Sequence, residues 1–267
     1  MKILLICLTL SVVSSAQAVP FNLREGYLIV VKCAIADITG LTAVVDTGVT
    51  ETAIDLKLAK RLGLKMTNDV ATLGTHQARV MAVSIPGVSL GSWHSDALAG
   101  IALDMAYAER SFGVRPDLIL GMDFLQHESF FVDYKARQIT FGIAPRLDHS
   151  AKLIPAERML LVSAITEGRK VTLQVDTGFN GLLVYGGKVR VPGDDINTQA
   201  MSPVGGSAAH LASISLALGD WAARQITAAL TDDEPRSPAA FDGLLGPTAI
   251  GAHQFAVDFK NQEIYWK

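Results

Sequence analysis

Two acidic residues occupy the same short setting. Asp46-Thr47-Gly48 closes the apolar run Leu41 to Val45, and Asp176-Thr177-Gly178 closes Val171 to Val175. Each carboxylate falls where a buried strand breaks into a loop. The glycine two positions on suits a tight turn that brings backbone close to the acid. If a pseudo-twofold axis brings the two acids together, both cannot ionise cheaply, so they share one proton over a wide pH range. The charged member can then take a proton from a water held between them, while the protonated member polarises a carbonyl. That chemistry requires neither a metal nor a covalent intermediate.

The elements around these acids repeat in order. With Asp46 placed on Asp176, and without a gap, Ala34-Ile35 falls on Ala164-Ile165, Asp37 on Glu167, and Val45 on Val175. Downstream in each half comes an apolar pair followed by glycine, Ile119-Leu120-Gly121 and Leu244-Leu245-Gly246. With these glycines superposed, Asp133-Tyr134-Lys135 falls on Asp258-Phe259-Lys260 and Phe141 on Trp266. Leu90-Gly91-Ser92-Trp93 likewise resembles Leu218-Gly219-Asp220-Trp221. The pattern is an internal duplication built mostly of short strands. Turns are expected at Asp37 to Gly40 and Glu167 to Lys170. One helix is expected in the first half, capped by Asp55, with Leu56, Ala59 and Leu62 on its apolar face and Gly63 at its end. The second half has Tyr185-Gly186-Gly187 at that place instead.

Residues 1–18 read as a secretory signal peptide: a basic start at Lys2, an apolar run from Ile3 to Val13, and Ala16-Gln17-Ala18 as a small-x-small cleavage site. The run is too short to span a bilayer comfortably, so no stable membrane insertion is expected after cleavage. Removal of Lys2 leaves one basic residue fewer than the 23 of the full chain, against 26 acidic. No basic run or aromatic-basic patch points to nucleic acid. Cys33 is the one cysteine of the mature chain, so no internal disulfide forms and packing alone must hold the protein together. The expected setting is the bacterial periplasm or the secreted space. The organisation reads as a first lobe over 19–142, a linker over 143–156 with Pro145 and Pro155, and a second lobe over 157–267.

These motifs resemble those of the retropepsin-like aspartic proteases, with both lobes fused in one polypeptide. The resemblance rests on Asp-Thr-Gly after an apolar strand and on apolar-apolar-Gly downstream, both present in both halves. It implies an all-β, bilobal, pepsin-like fold of two pseudo-twofold-related lobes, with a short helix in the first. It also implies an endopeptidase that hydrolyses extended polypeptide through water activated by an Asp46/Asp176 dyad. Thr47 and Thr177 would each hydrogen-bond to the opposite loop, and Gly48 and Gly178 would present backbone N–H groups to the carboxylates. The two apolar-apolar-Gly triplets would support the loops from beneath. The expected partner is a peptide or unfolded protein, with no cofactor, on a monomer that is a pseudo-dimer within one chain. The residue after Asp-Thr-Gly is often alanine or serine in such proteases; here it is Val49 and Phe179, which would line the cleft. Flap hairpins are expected at Leu73-Gly74-Thr75 and at Gly205-Gly206-Ser207.

Other readings carry less. A protease-like fold that binds peptides without cutting is the alternative, although both aspartates are intact. Gly87-Val88-Ser89-Leu90-Gly91 matches the G-x-S-x-G pattern, but Pro86-Gly87 opens a strand-like stretch where that motif needs strand-turn-helix. Cys33 reads as a small buried residue, and the six histidines show no metal-ligand spacing, so no metal site is expected.

Overall fold

The computed structural model describes residues 17–73, 76–189, 191, 197–202, 205–233 and 241–267. It is all-β with a short helix in the first half, the fold class of aspartic proteases. The signal-peptide reading falls almost wholly outside the described residues.

Each half is organised around the strand that leads into its aspartate. In the first, Leu28–Ile35 pairs antiparallel with Ile38–Val45, and Ile38–Val45 runs parallel to Leu118–Leu120. Leu118–Leu120 in turn pairs antiparallel with Ala53–Asp55, just beyond the acidic loop. The second half uses the same arrangement. Leu161–Thr166 pairs with Arg169–Val175, which runs parallel to Gly243–Leu245, and Gly243–Leu245 pairs antiparallel with Leu182–Val184. Parallel strands buried on both faces read as continuous apolar runs, hence Leu41 to Val45 and Leu118 to Leu120.

A third sheet joins the halves. Its neighbours, in order, are Ala18–Pro20, Gln138–Phe141, Phe130–Asp133, Gln254–Asp258, Glu263–Trp266 and His149–Ile154. Phe130 lies opposite Val257, so a strand from one half pairs directly with a strand from the other. One continuous apolar core runs through both halves, with Phe124, Phe130, Phe255 and Trp266 fully buried. A smaller apolar cluster, including Tyr27, Val30, Val44, Met105 and Ile119, stands apart from it in the first half, with Val49 packed against it.

Several expectations need adjustment. The stretch 143–156 is not a free spacer: His149–Ile154 is a strand of the joining sheet, continued onto Leu161 by Leu153 and Ile154. Pro145 and Pro155 merely bracket it. The first-half helix, Leu56–Arg61, has Asp55 accepting from Lys57 N–H as expected, but its buried residues are Leu58 and Ala59, with Leu56 and Leu62 only partly covered. A helix of under two turns has no full apolar stripe, so docking rather than periodicity chooses its inner face. Turns of helix also form at Ala106–Phe112 and Met122–Leu125. The second follows Gly121 without a side-chain cap. Its first N–H groups are taken instead by the acidic loop: Met122 donates to Val49 O at 2.9 Å and Asp123 to Thr50 O at 3.1 Å. Such tertiary capping leaves no local sequence signature. Ser89 lies in the strand Val88–Leu90 opposite Ala34, which is no nucleophile elbow.

One aspartate holds each parallel junction. Asp117 Oδ2 accepts from Thr42 N–H at 2.8 Å, and Asp117 N–H donates to Thr42 O at 2.7 Å. Asp242 makes the same two bonds with Thr172, at 2.8 and 2.7 Å. Both stand four residues before the glycine of their triplet, so a repeated Asp-x-apolar-apolar-Gly was present to be read. Replacing Asp117 or Asp242 by alanine strands a strand-edge N–H and is expected to cost roughly 1–3 kcal/mol each. Urea denaturation of the two variants checks this; unchanged midpoints would show that water replaces the carboxylate without penalty.

Candidate active site

The acidic loops meet where the halves face each other. Asp46 N–H donates to Leu120 O at 3.0 Å and Asp176 N–H to Leu245 O at 2.9 Å, so each triplet anchors the backbone of its acid. Thr47 and Thr177 then interlock. Thr47 N–H donates to Thr177 Oγ1 at 3.1 Å and Thr177 N–H to Thr47 Oγ1 at 3.0 Å. Their hydroxyls donate onward to main-chain carbonyls of the opposite half, Thr47 to Val175 O at 2.9 Å and Thr177 to Val45 O at 3.0 Å. Both threonines are almost fully buried. Each hydroxyl is therefore donor and acceptor at once, which neither serine-free apolar packing nor a lone hydrogen bond could reproduce.

The glycines serve on both sides of this lock. Gly48 N–H donates to Asp46 Oδ1 at 2.8 Å and Gly178 N–H to Asp176 Oδ1 at 2.7 Å. Their Cα faces rest on the opposite acid. A Cβ on Gly178 would stand 2.5 Å from Asp46 Oδ2, and one on Gly48 would strike the whole Asp176 carboxyl. Close approach, not turn conformation, is what demands glycine here.

The two carboxyl groups, half-buried, lie within hydrogen-bonding reach of each other. Burial pushes both pKa values above the ordinary carboxylate range, and the charge of Asp46 pushes that of Asp176 further up. Three phenols face the pair. Burial raises the pKa of Tyr27 to about 12 and those of Tyr107 and Tyr185 further still, with the dyad's charge adding to each.

The loops beyond the glycines differ between halves. In the first, Thr52 N–H and Oγ1–H both donate to Asp123 Oδ1, at 2.9 and 2.7 Å, while Thr52 Oγ1 accepts from Gly121 N–H at 3.2 Å. Asp123 is buried, and its Oδ2 has no hydrogen-bond partner among the described residues. In the second, Gly246 N–H donates to Gly181 O at 2.8 Å, and Gly181 adopts φ +128°, which side chains disfavour. Val49 packs against the smaller apolar cluster, and Phe179 ring atom Cε1 comes within 4.0 Å of where a Gly181 Cβ would stand.

The structure thus brings together Asp46, Asp176, Thr47, Thr177, Gly48 and Gly178. Gly74 lies outside the described residues, although its hairpin is formed by Met66–Leu73 and His76–Ile85 up to the Leu73–His76 pair. Gly205 and Gly206 are not the tip of theirs. They pair with Ser202 and Met201 within the ladder of the two strands. Glycine in a strand is tolerated where the neighbouring strand fixes the backbone, and so glycine alone did not mark the turn. The reading from sequence missed Thr52 and Asp123, for which a single half offers no repeat partner, and Gln174, discussed below.

Residues 31–124 match the aspartyl protease family model. The matched span contains Asp46-Thr47-Gly48 and Ile119-Leu120-Gly121 and lies within the first half of the chain. No curated protein matches the chain.

The raised acids make a stability statement. The folded state binds more protons than the unfolded chain above the ordinary carboxylate pKa of about 3.9, so stability falls as pH rises from there. Asp176→Asn keeps the shape and removes that penalty. It is expected to unfold at a higher temperature than the wild type at pH 8, with the gap closing toward pH 4. Thermal melts across that range are the check, and a gap that does not depend on pH contradicts the raised values.

Proposed function

We propose that the protein is an aspartic endopeptidase of two duplicated lobes, cleaving extended polypeptide at the seam between them. The observation that carries this reading is the Asp46–Asp176 pair: two carboxyls in hydrogen-bonding reach, both with raised pKa, held by a mirrored threonine lock. The match of residues 31–124 to the aspartyl protease family supports aspartic-type chemistry in general.

In this reading Asp46 is the ionised member and Asp176 holds the shared proton. A water between them gives a proton to Asp46 as its oxygen attacks the scissile carbonyl carbon. Asp176 donates its proton to the carbonyl oxygen, giving a neutral gem-diol intermediate. Asp46 next protonates the leaving nitrogen while Asp176 takes a proton back from the gem-diol, and the dyad returns to its starting charge. Val49 and the apolar cluster behind it would contact the substrate on one side of the scissile bond, Phe179 on the other. The hairpins Met66–Leu73/His76–Ile85 and Asn197–Ser202/Gly205–Leu218 would pair with the substrate backbone as flaps. The apolar start of the chain supports export to the periplasm or beyond, and the fused halves support action as a monomer.

The test is to incubate the mature protein with an unfolded polypeptide, with and without a statine peptide. Cleavage should occur, the statine peptide should block it, and Asp46→Asn or Asp176→Asn should each lower kcat/KM at least about 10³-fold with folding retained, since the pair acts as one unit. Binding of unfolded chain without cleavage would instead identify a silent peptide-binding protein. Undiminished cleavage by either variant would remove the mechanism.

A further inference from the structure

The threonine hydrogen bonds across the seam come in mirrored pairs, but one from Gln174 has no mirror among the described residues. Gln174 stands two residues before Asp176, at the position Val44 holds before Asp46. The pairing agrees, with Val44 opposite Ile119 and Gln174 opposite Leu244. Val44 belongs to the smaller apolar cluster. Gln174 is as enclosed, at 3% exposed, yet carries an amide. Its Nε2 donates across the seam to Gly48 O at 3.0 Å. Val44 has no donor with which to make the equivalent bond to Gly178. Burying a primary amide is unfavourable unless it is bonded, and valine meets the packing need at the equivalent position in the first half. The hydrogen bond is therefore not what the strand requires in order to fold.

What it fixes is Gly48. That residue's Cα face rests on the Asp176 carboxyl so closely that a Cβ could not be accommodated. Clamping its carbonyl holds the backbone against that face. Asp46, resting on Gly178, receives no such clamp from Val44, which has no donor to offer. We propose that Gln174 is a positioning residue that makes the two acids unequal, holding Gly48 against Asp176 so that Asp176 keeps the shared proton and Asp46 takes one from water. This rests on the dyad reading above. Both acids have raised pKa values, with burial the largest cause in each. The other titratable groups facing the pair, Tyr27, Tyr107 and Tyr185, have raised pKa values and stay neutral while the dyad titrates.

The experiment compares wild type, Gln174→Leu and Gln174→Glu as full mature chains. Two readouts are taken: kcat and KM against pH on a reporter peptide, and ¹³C carboxyl titration of Asp46 and Asp176, which needs no turnover. Gln174→Leu is expected to fold, to move the alkaline limb and the higher carboxyl pKa down by about one unit, and to lower kcat about tenfold with KM little changed. Gln174→Glu is expected to approach wild-type behaviour while its carboxyl is protonated and can donate to Gly48 O, and to fall below Gln174→Leu once ionised. Should Gln174→Leu fail to fold, Gln174→Met supplies an unbranched apolar chain of the same length. Superimposable carboxyl titrations for wild type and the apolar variant overturn the proposal. A wild type that cleaves nothing overturns the protease reading instead, and the titrations still decide the role of Gln174.

Discussion

Two carboxyl groups in hydrogen-bonding reach repel as soon as both ionise, and the seam must hold them there regardless. At a separation of about 4 Å and an effective dielectric near 20, the repulsion is roughly 4 kcal/mol. The four threonine hydrogen bonds oppose it with about 0.5–1.5 kcal/mol each. These magnitudes are comparable, so the lock alone would barely contain a doubly ionised pair. Retaining one proton removes the repulsion and leaves the lock in surplus. Burial raises both carboxyl pKa values, with the charge of Asp46 adding to that of Asp176, so the proton stays and the geometry survives.

The rest of the fold can be understood as what keeps this seam in register. Each acid's backbone hangs from its apolar-apolar-Gly triplet through one hydrogen bond, to Leu120 O or Leu245 O. Each triplet is tied to the strand entering the acid by Asp117 or Asp242. Beneath both, Phe131 pairs with Ala256 across the sheet that joins the halves. A displacement of either half would have to break strand pairing in that sheet as well as the threonine bonds. The main core passes through both halves without interruption, so such motion would also expose large apolar side chains such as Phe130 and Phe255.

Much of this was legible because motifs that occur in both halves turn weak local signals into paired ones. Asp-Thr-Gly after an apolar run says little once and a great deal twice. The same comparison predicted the triplets and the shared strand order. It failed where the halves diverge. Thr52 and Asp123 support the first loop, whereas Gly181 supports the second through its carbonyl, and neither solution has a counterpart to reveal it. It failed again where structure is dictated from afar: the helical turn Met122–Leu125 takes its caps from Val49 and Thr50, and His149–Ile154 becomes a strand because Glu263–Trp266 offers it an edge. Proline at the ends of that strand looked like linker composition but only marks where pairing begins and stops. Gly205 and Gly206 misled for the opposite reason, since a glycine pair suits a turn but a well-paired strand tolerates it.

In the proposed protease reading, divergence of the halves would have a chemical use. A strictly symmetric dyad offers its proton equally to both acids, and each catalytic cycle must then begin from whichever arrangement the substrate finds. Fusing the halves into one chain frees each position to differ from its mate. Gln174 opposite Val44 is such a difference at the seam itself, and the phenols Tyr27, Tyr107 and Tyr185 are others close to it. None of these changes touches the threonines or the glycines, whose roles require both copies. The mirrored groups set where the acids stand. The unmatched groups would then be free to bias the proton without disturbing that placement, because the Gln174 amide bonds to Gly48 O and not to the threonines that hold the halves together.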